Sequence, residues 1–206
     1  MAVVVVGGHT RNIGKTSVVA GIIAALPQYH WTAFKITQYG HGLCSAHGEP
    51  CACETASHTV AISEEHDAAT GTDSARFLQA GAVRSFWVRT RQGYLAEAMP
   101  RIRKELDRAE NSIFESNSVL RFLRPDLYLS VLNPSIADFK PSAQYFLDRA
   151  DAIVFTSPQT NSTFAWPPKN LPSIGSKPTF LVPQPKFDCT DLSQWIAHML
   201  SIRSQA

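Results

Sequence analysis

The sequence carries almost no net charge. Its 206 residues hold nineteen Lys and Arg against seventeen Asp and Glu, a formal balance of +2. That is too weak to argue for a nucleic-acid partner. No apolar run approaches the ~20 residues that a membrane-spanning helix needs, so no membrane partner is expected either. The first residues lack the basic flank and small-residue cleavage pattern of a secretory signal. Internal repeats are missing too. These absences lead to the expectation of a cytoplasmic protein. Cysteine is scarce, with four in the chain: Cys44, Cys51, Cys53 and Cys189. Three of them crowd into one short stretch, which in a reducing compartment favours metal or redox chemistry over disulfides.

What remains is an ordinary globular composition, 44% hydrophobic and 17% charged. The length suits one α/β domain over 1–206 with a sizeable core. Apolar strands are expected at 2–6, 31–37, 83–89, 112–115, 127–132, 152–156 and 179–182. Helices are expected at 15–26, 72–79, 95–108, 141–149 and 191–202, with Thr72 or Asp73 capping the second and Pro100 marking a kink in the third. Near-continuous apolar strands between helices imply a mainly parallel sheet with helices on both faces. Residues 38–71 read as an irregular insert, and 161–177 as a Pro- and Ser-rich surface loop.

The opening "VVVVGGHTRNIGKTSVVAGIIAAL" joins a strand through glycines to a helix. The usual phosphate-loop pattern, G-x-x-x-x-G-K-[ST], would put its first glycine at His9. The nearest glycine is Gly8, so five residues intervene before Gly14 instead of four. The physical requirements still hold. Amide groups at a helix start point at anions, and the helix dipole favours them. Gly14 permits close approach, Lys15 offers a point charge to β- and γ-phosphates, and Thr16 offers a hydroxyl to Mg²⁺. Gly8, Thr10, Arg11, Asn12, Ile13, Gly14, Lys15, Thr16 and Ser17 are therefore the candidate nucleotide contacts. Arg11 is placed either on the γ-phosphate or in a salt bridge at the sheet edge. A base-reading Asn-Lys-x-Asp motif is absent after the 152–156 strand, which leaves ATP and GTP equally open.

"GHTRNIGKT" resembles the loop of dethiobiotin synthetase, G-T-D-T-x-V-G-K-T, which has the same interval; Thr10, Ile13, Gly14, Lys15 and Thr16 match. "AFKIT" is similar to the lysine-ended second strand of that family, and the resemblance gives Lys35 a phosphate- or substrate-facing role. "GTDSARFLQAGA" resembles a segment of molybdopterin-guanine dinucleotide biosynthesis protein B, matched at Gly71, Asp73, Ser74, Arg76, Ala80, Gly81 and Ala82. Both families belong to one branch of three-layer P-loop NTPases with a seven-stranded sheet. In both, a glutamate after the strand that ends "IFE" faces the phosphates, which implies that role for Glu115. The resemblance thus implies Lys15, Lys35 and Glu115 as catalytic residues, and Thr16, Asp73 and Glu115 as Mg²⁺ ligands. Ser116, Asn117 and Ser118 replace the glycines that follow the glutamate in dethiobiotin synthetase, which argues against biotin-precursor chemistry. Thr10 replaces the early lysine of the dimeric ATPases of this branch, which argues against that subtype.

The insert "YGHGLCSAHGEPCACETASH" brings together His41, Cys44, His47, Cys51, Cys53 and His58. Thiolates and imidazoles suit Zn²⁺, and thiolates suit iron–sulfur clusters. The spacing Cys-x6-Cys-x-Cys is not the usual paired one, and a substrate loop with free thiols is the alternative. The expected site, Cys44, Cys51 and Cys53 with His41, His47 or His58, would lie beside the phosphate loop. Trp31 and Trp87 read as core, and Cys189 as a core or helix-start residue. Arg89 and Arg91 read as solvated or as contacts to an anionic substrate.

Two functions follow. The first is a nucleotide- and Mg²⁺-binding enzyme that hydrolyses the triphosphate or transfers its phosphoryl group to a small metabolite. The second is a nucleotide-dependent adaptor for metal or cofactor delivery, as in molybdenum cofactor biosynthesis, with a protein partner and the Cys/His insert as its tool. A homodimer is open in both.

Overall fold

The computed structural model describes residues 1–39, 59–136, 138–157 and 174–203. Its centre is β1 (Val3–Gly8), in which all six residues are buried. A valine run has no polar face to offer water, so it belongs between two parallel neighbours with both faces covered. Those neighbours are β5 (Asn111–Glu115) and β6 (Leu127–Leu132), each parallel to β1. Outward from β5 come β2 (Trp31–Tyr39) and β4 (Arg84–Arg91), and outward from β6 come β7 (Ala152–Phe155) and β8 (Thr179–Leu181), all parallel. The edge beyond β4 is β3 (Val60–Glu65), which runs antiparallel to it. The strand order is β3-β4-β2-β5-β1-β6-β7-β8.

Alternation along β1 splits the core in two. Val4 and Val6 meet α1 (Lys15–Ala25) through Val18, Val19, Ile22 and Ile23, and α5 (Thr190–Arg203) through Leu192 and Ile196. Phe77 of α2 (Asp73–Gln79) joins that side. Val3 and Val5 meet α3 (Leu95–Leu106) through Ala98, Met99 and Ile102, and α4 (Pro141–Phe146) through Phe146. The result is the expected α/β architecture, a mainly parallel sheet with helices on both faces. The apolar spacing Leu95, Ala98, Met99, Ile102, Leu106 gives α3 its buried stripe. That stripe carries the helix through Pro100, which is exposed.

Two expectations need correction. Among the described residues the sheet has eight strands, not seven. Val60–Glu65 lies in the stretch read as irregular, yet it forms the antiparallel edge. Its residues are all half-buried, so no strong apolar period marks it. Pairing with β4, and the contact of Val60 and Ile62 with the α3 side of the core, make it a strand. The helix expected over 141–149 is α4 followed by a separate 3₁₀ turn, Leu147–Arg149.

Candidate active site

Parallel register decides what meets at the end of β1. Val6 stands beside Glu115, and Lys35 stands beside Glu115 from the other side. Glu115 closes β5 just where β1 delivers its chain into the glycine loop. The loop then turns back and starts α1 at Lys15.

Two glycines make that loop possible. Gly14 is the N-cap of α1 and has φ 89°, a region that L side chains rarely adopt. A Cβ there would also sit 2.6 Å from Cε1 of Phe187. A Cβ at Gly8 would sit 2.8 Å from both Ile13 Cδ1 and Lys15 Cδ, so the extra loop residue is accommodated by close passage over Gly8. Asn12 also takes a positive φ, 57°. The buried Ile13 anchors the loop: its carbonyl accepts a 2.8 Å bond from Thr156 Oγ1 at the end of β7. Asn117 clamps the other end. Its Oδ1 accepts from the Gly8 amide at 2.9 Å, and its Nδ2 donates to the Gly8 carbonyl at 2.8 Å.

Lys15, the first residue of α1, folds back along the loop, and its Nζ donates to the Thr10 carbonyl at 2.6 Å. Burial lowers its pKa to about 8; Glu115 opposes that shift, and the like charges of Lys35 and Lys140 add to it. Thr16 Oγ1 donates to Glu115 Oε2 at 2.8 Å across 99 residues of chain. Lys35 Nζ lies 2.5 Å from Glu115 Oε1 and 2.7 Å from Asp73 Oδ2. It also reaches Thr16 Oγ1 at 3.3 Å. Burial works against the Lys35 charge, but Glu115 and then Asp73 outweigh it, and the ammonium is held above its ordinary value. Glu115 is only 4% exposed, and a buried carboxylate persists only when paired in this way. Thr72, not Asp73, caps α2: its Oγ1 accepts from the Ala75 amide at 3.1 Å. Asp73 is thereby left to face Lys35.

The structure therefore brings Lys15, Thr16, Lys35, Asp73 and Glu115 into one cluster. Ser17 stands beside them and accepts a 2.8 Å bond from Arg76 Nη2. Arg11 is exposed and makes no ion pair among the described residues, so the sheet-edge salt bridge is not formed there. Lys140 lies near Arg11. Burial and then the Arg11 charge lower the pKa of Lys140. Trp87, read as core, is half-buried and carries the Arg89 guanidinium on its ring. Cys189 is buried in the core against Gly21, and burial pushes its thiol up to about 12.

Four participants were not legible as site residues. Arg76 was matched by resemblance but given no role. Asn117 follows the strand of Glu115 and looked like a loop residue. Asp138, which accepts the Thr10 hydroxyl, lies just before α4, and Thr156 follows β7. No local pattern marks a residue that serves a loop more than a hundred positions away.

One hydroxyl and two carboxylates, from Thr16, Glu115 and Asp73, form a hard oxygen donor set. That set fits Mg²⁺, which takes one or two carboxylates and keeps several waters. His41, Cys44, His47, Cys51, Cys53 and His58 lie outside the described residues. Among the described residues, no three His, Cys, Asp or Glu side chains gather as a metal site. No described helix is long and apolar enough to cross a membrane.

No family model matches the chain, and no curated protein matches it in sequence. Among solved structures, the chain is similar to a crystal structure of LpxK from Aquifex aeolicus in complex with ATP. The identity is 18% and the TM-score 0.48, over 88% of this chain and 53% of that one. The chain thus spans about half the length of that protein.

Proposed function

We propose that the chain binds a nucleoside triphosphate with Mg²⁺ at Gly8–Ser17 and passes the γ-phosphoryl group to a small metabolite or to water. One observation carries this reading. Lys15 and Thr16 at the first turn of α1 share a single polar cluster with Lys35, Asp73 and Glu115, drawn from three other elements. A strand-to-helix turn with no anion to serve has no use for two partly buried lysines and two carboxylates. The resemblance to two P-loop families at Gly14, Lys15, Thr16, Lys35 and Asp73 points the same way.

Each group has a chemical task in this reading. The amides that open α1, with the helix dipole behind them, receive the β-phosphate. Lys15 swings from the Thr10 carbonyl to the β- and γ-oxygens and neutralises charge there. Thr16, Glu115 and Asp73 would hold Mg²⁺, which would supply positive charge to stabilise the transferring phosphoryl group. Lys35 leaves its position between the two carboxylates and lies over the transferring group. In the transfer, the acceptor oxygen bonds to the γ-phosphorus as the bond to the bridging oxygen breaks, the nucleoside diphosphate departs, and a proton carried by a water or hydroxyl acceptor passes to solvent. Glu115 keeps the Thr16 hydroxyl oriented.

The test is calorimetric titration with ATP and with GTP in the presence of Mg²⁺, repeated on Lys15→Ala. Binding is expected for wild type and a loss of at least tenfold for the variant. Equal affinity in both proteins, or no binding of either nucleotide by wild type, would refute the proposal. Turnover of the bound nucleotide, measured as released phosphate, separates hydrolysis from a need for an acceptor.

A further inference from the structure

Beside the phosphate loop, the sheet itself changes character. Strands inside a parallel sheet are normally apolar on both faces. On the α3 side this rule holds through Phe34 and Ile36 of β2 and Phe86 and Val88 of β4, which belong to that core, before Gln38 and Thr90 end that face. On the other side it fails. After the buried Trp31 and Ala33, β2 continues with Lys35, Thr37 and Tyr39, all half-buried. On β4, the same face carries Trp87 and Arg89. Register pairs Lys35 with Trp87 and Thr37 with Arg89, and on the edge strand Ser63 with Trp87. The polar strip thus runs continuously from the Lys35–Asp73–Glu115 cluster towards β3. It lies at the carboxyl ends of the strands, where open α/β sheets bind ligands.

Arg89 is the singular member of the strip. Its guanidinium carbon lies 4.6 Å from the centroid of the Trp87 ring. Trp87 is fixed in turn, because its Nε1 donates to Thr37 Oγ1 at 3.1 Å. Arg89 Nη2 donates to Ser63 Oγ at 3.3 Å. Its Nε is buried and has no hydrogen-bond partner among the described residues. A buried donor left idle is unfavourable, and the carboxylates of the edge strand do not relieve it. Glu64 is held by Arg84 at 2.7 Å, and Glu65 accepts the Thr72 hydroxyl at 2.8 Å. Arg89 makes no ion pair among the described residues. One strand across and two residues along puts its Cα ~8 Å from that of Lys35.

We propose that this strip is the shelf for the second substrate, and that Arg89 binds an oxyanion of it, a carboxylate or a phosphate. The inference deepens the nucleotide reading and rests on it for the substrate's role as acceptor. A planar guanidinium fork presents its donors in the geometry that carboxylate and phosphate oxygens accept. The Trp87 ring holds the guanidinium at cation–π distance. Lys35, two positions back along the shelf, then stands between the anchored acceptor and the γ-phosphate.

The probes are malonate and inorganic phosphate, titrated by calorimetry at low salt. A saturating non-hydrolysable triphosphate with Mg²⁺ keeps phosphate off the loop, and the malonate series is repeated without it. Wild type is expected to bind at least one probe. Arg89→Ala and Arg89→Gln should lose at least tenfold in probe affinity and keep triphosphate affinity within about twofold. Arg89→Lys, which keeps the stem and the charge but not the fork, should fall between. It also carries the test if the smaller side chains disturb folding, as judged from thermal melts. Malonate binding alone assigns a carboxylate substrate, and phosphate binding alone a phosphorylated one. Failure of wild type to bind either probe, or equal affinity in wild type and the Arg89 variants, would overturn the shelf. Arg89-dependent malonate binding in a protein that takes no triphosphate would instead overturn the nucleotide reading and leave the anion site standing.

Discussion

Replacing Lys35 by Met keeps most of its volume and removes one charge from a nearly closed triad. In the wild type, Lys35 lies 2.5 Å from Glu115 and 2.7 Å from Asp73, with side-chain exposures of 16%, 4% and 31%. The variant leaves two carboxylates facing a common space, one of them buried. Breaking a buried pair in this way costs about 3–5 kcal/mol, and the partial exposure of Asp73 puts the expected loss towards the lower end, about 3 kcal/mol. With a urea m-value of about 2 kcal/mol/M, the midpoint should fall by about 1.5 M. The wild type also carries a signature of Lys35 at high pH. Its Lys35 has a raised pKa in the folded state. The stability it supplies is therefore complete below the unfolded lysine value, about 10.4, and is lost as pH rises through the folded value. That alkaline loss should be absent from Lys35→Met. Millimolar Mg²⁺ should restore part of the variant's midpoint, since the oxygen donors are no longer neutralised by an ammonium. A midpoint shift below about 0.3 M at pH 7, or an alkaline loss that Lys35→Met shares with wild type, would refute the argument that Lys35 holds these carboxylates in place.

Burial holds Lys15 near a pKa of about 8, and a bound triphosphate favours its charged form. Nucleotide affinity should therefore fall by up to about tenfold per unit as pH rises above about 8. Binding there should take up a proton, measurable in buffers of different ionisation enthalpy, and Lys15→Met should flatten the profile. Gly14→Ala forces a side chain into φ 89° and against Phe187; a loss of about 1–3 kcal/mol in urea unfolding is expected, with a weaker nucleotide affinity. Thr156→Val leaves the Ile13 carbonyl without its 2.8 Å donor. It should cost about 1–3 kcal/mol and speed hydrogen exchange in the loop more than in α3. Metal analysis of protein prepared without air, before and after Cys51→Ser and Cys53→Ser, tests the Cys/His insert. About one zinc or iron per chain in the wild type and none in the variant is expected if the insert holds a metal.

What the sequence determined by itself was local. A valine run, glycines and Gly14-Lys15-Thr16 before an apolar helix specify a strand, an anion-facing turn and a helix, because each depends on residues within one or two turns of chain. The same is true of the α3 stripe and of Thr72 or Asp73 at the start of α2. Family resemblance, not pattern, singled out Lys35, Asp73 and Glu115. Tertiary structure decided what those residues touch. Parallel register set Lys35 beside Glu115 across 80 positions, and the capping choice of Thr72 left Asp73 to complete the triad. Edge pairing made a strand of Val60–Glu65, whose own pattern is too weakly apolar to declare one. Loop anchors such as Thr156 and Asn117 come from strand ends that only a folded sheet brings to the phosphate loop. Arg89 shows the division most clearly. In the sequence it is one basic residue among several at a strand end. Its contact with Trp87 lies within β4, but its bond to Ser63 and the Thr37 anchor of Trp87 exist only once three strands lie side by side. Periodicity can assign a residue to a face of its own strand, but hydrogen bonds across the sheet depend on register, and register is fixed by the whole packed core.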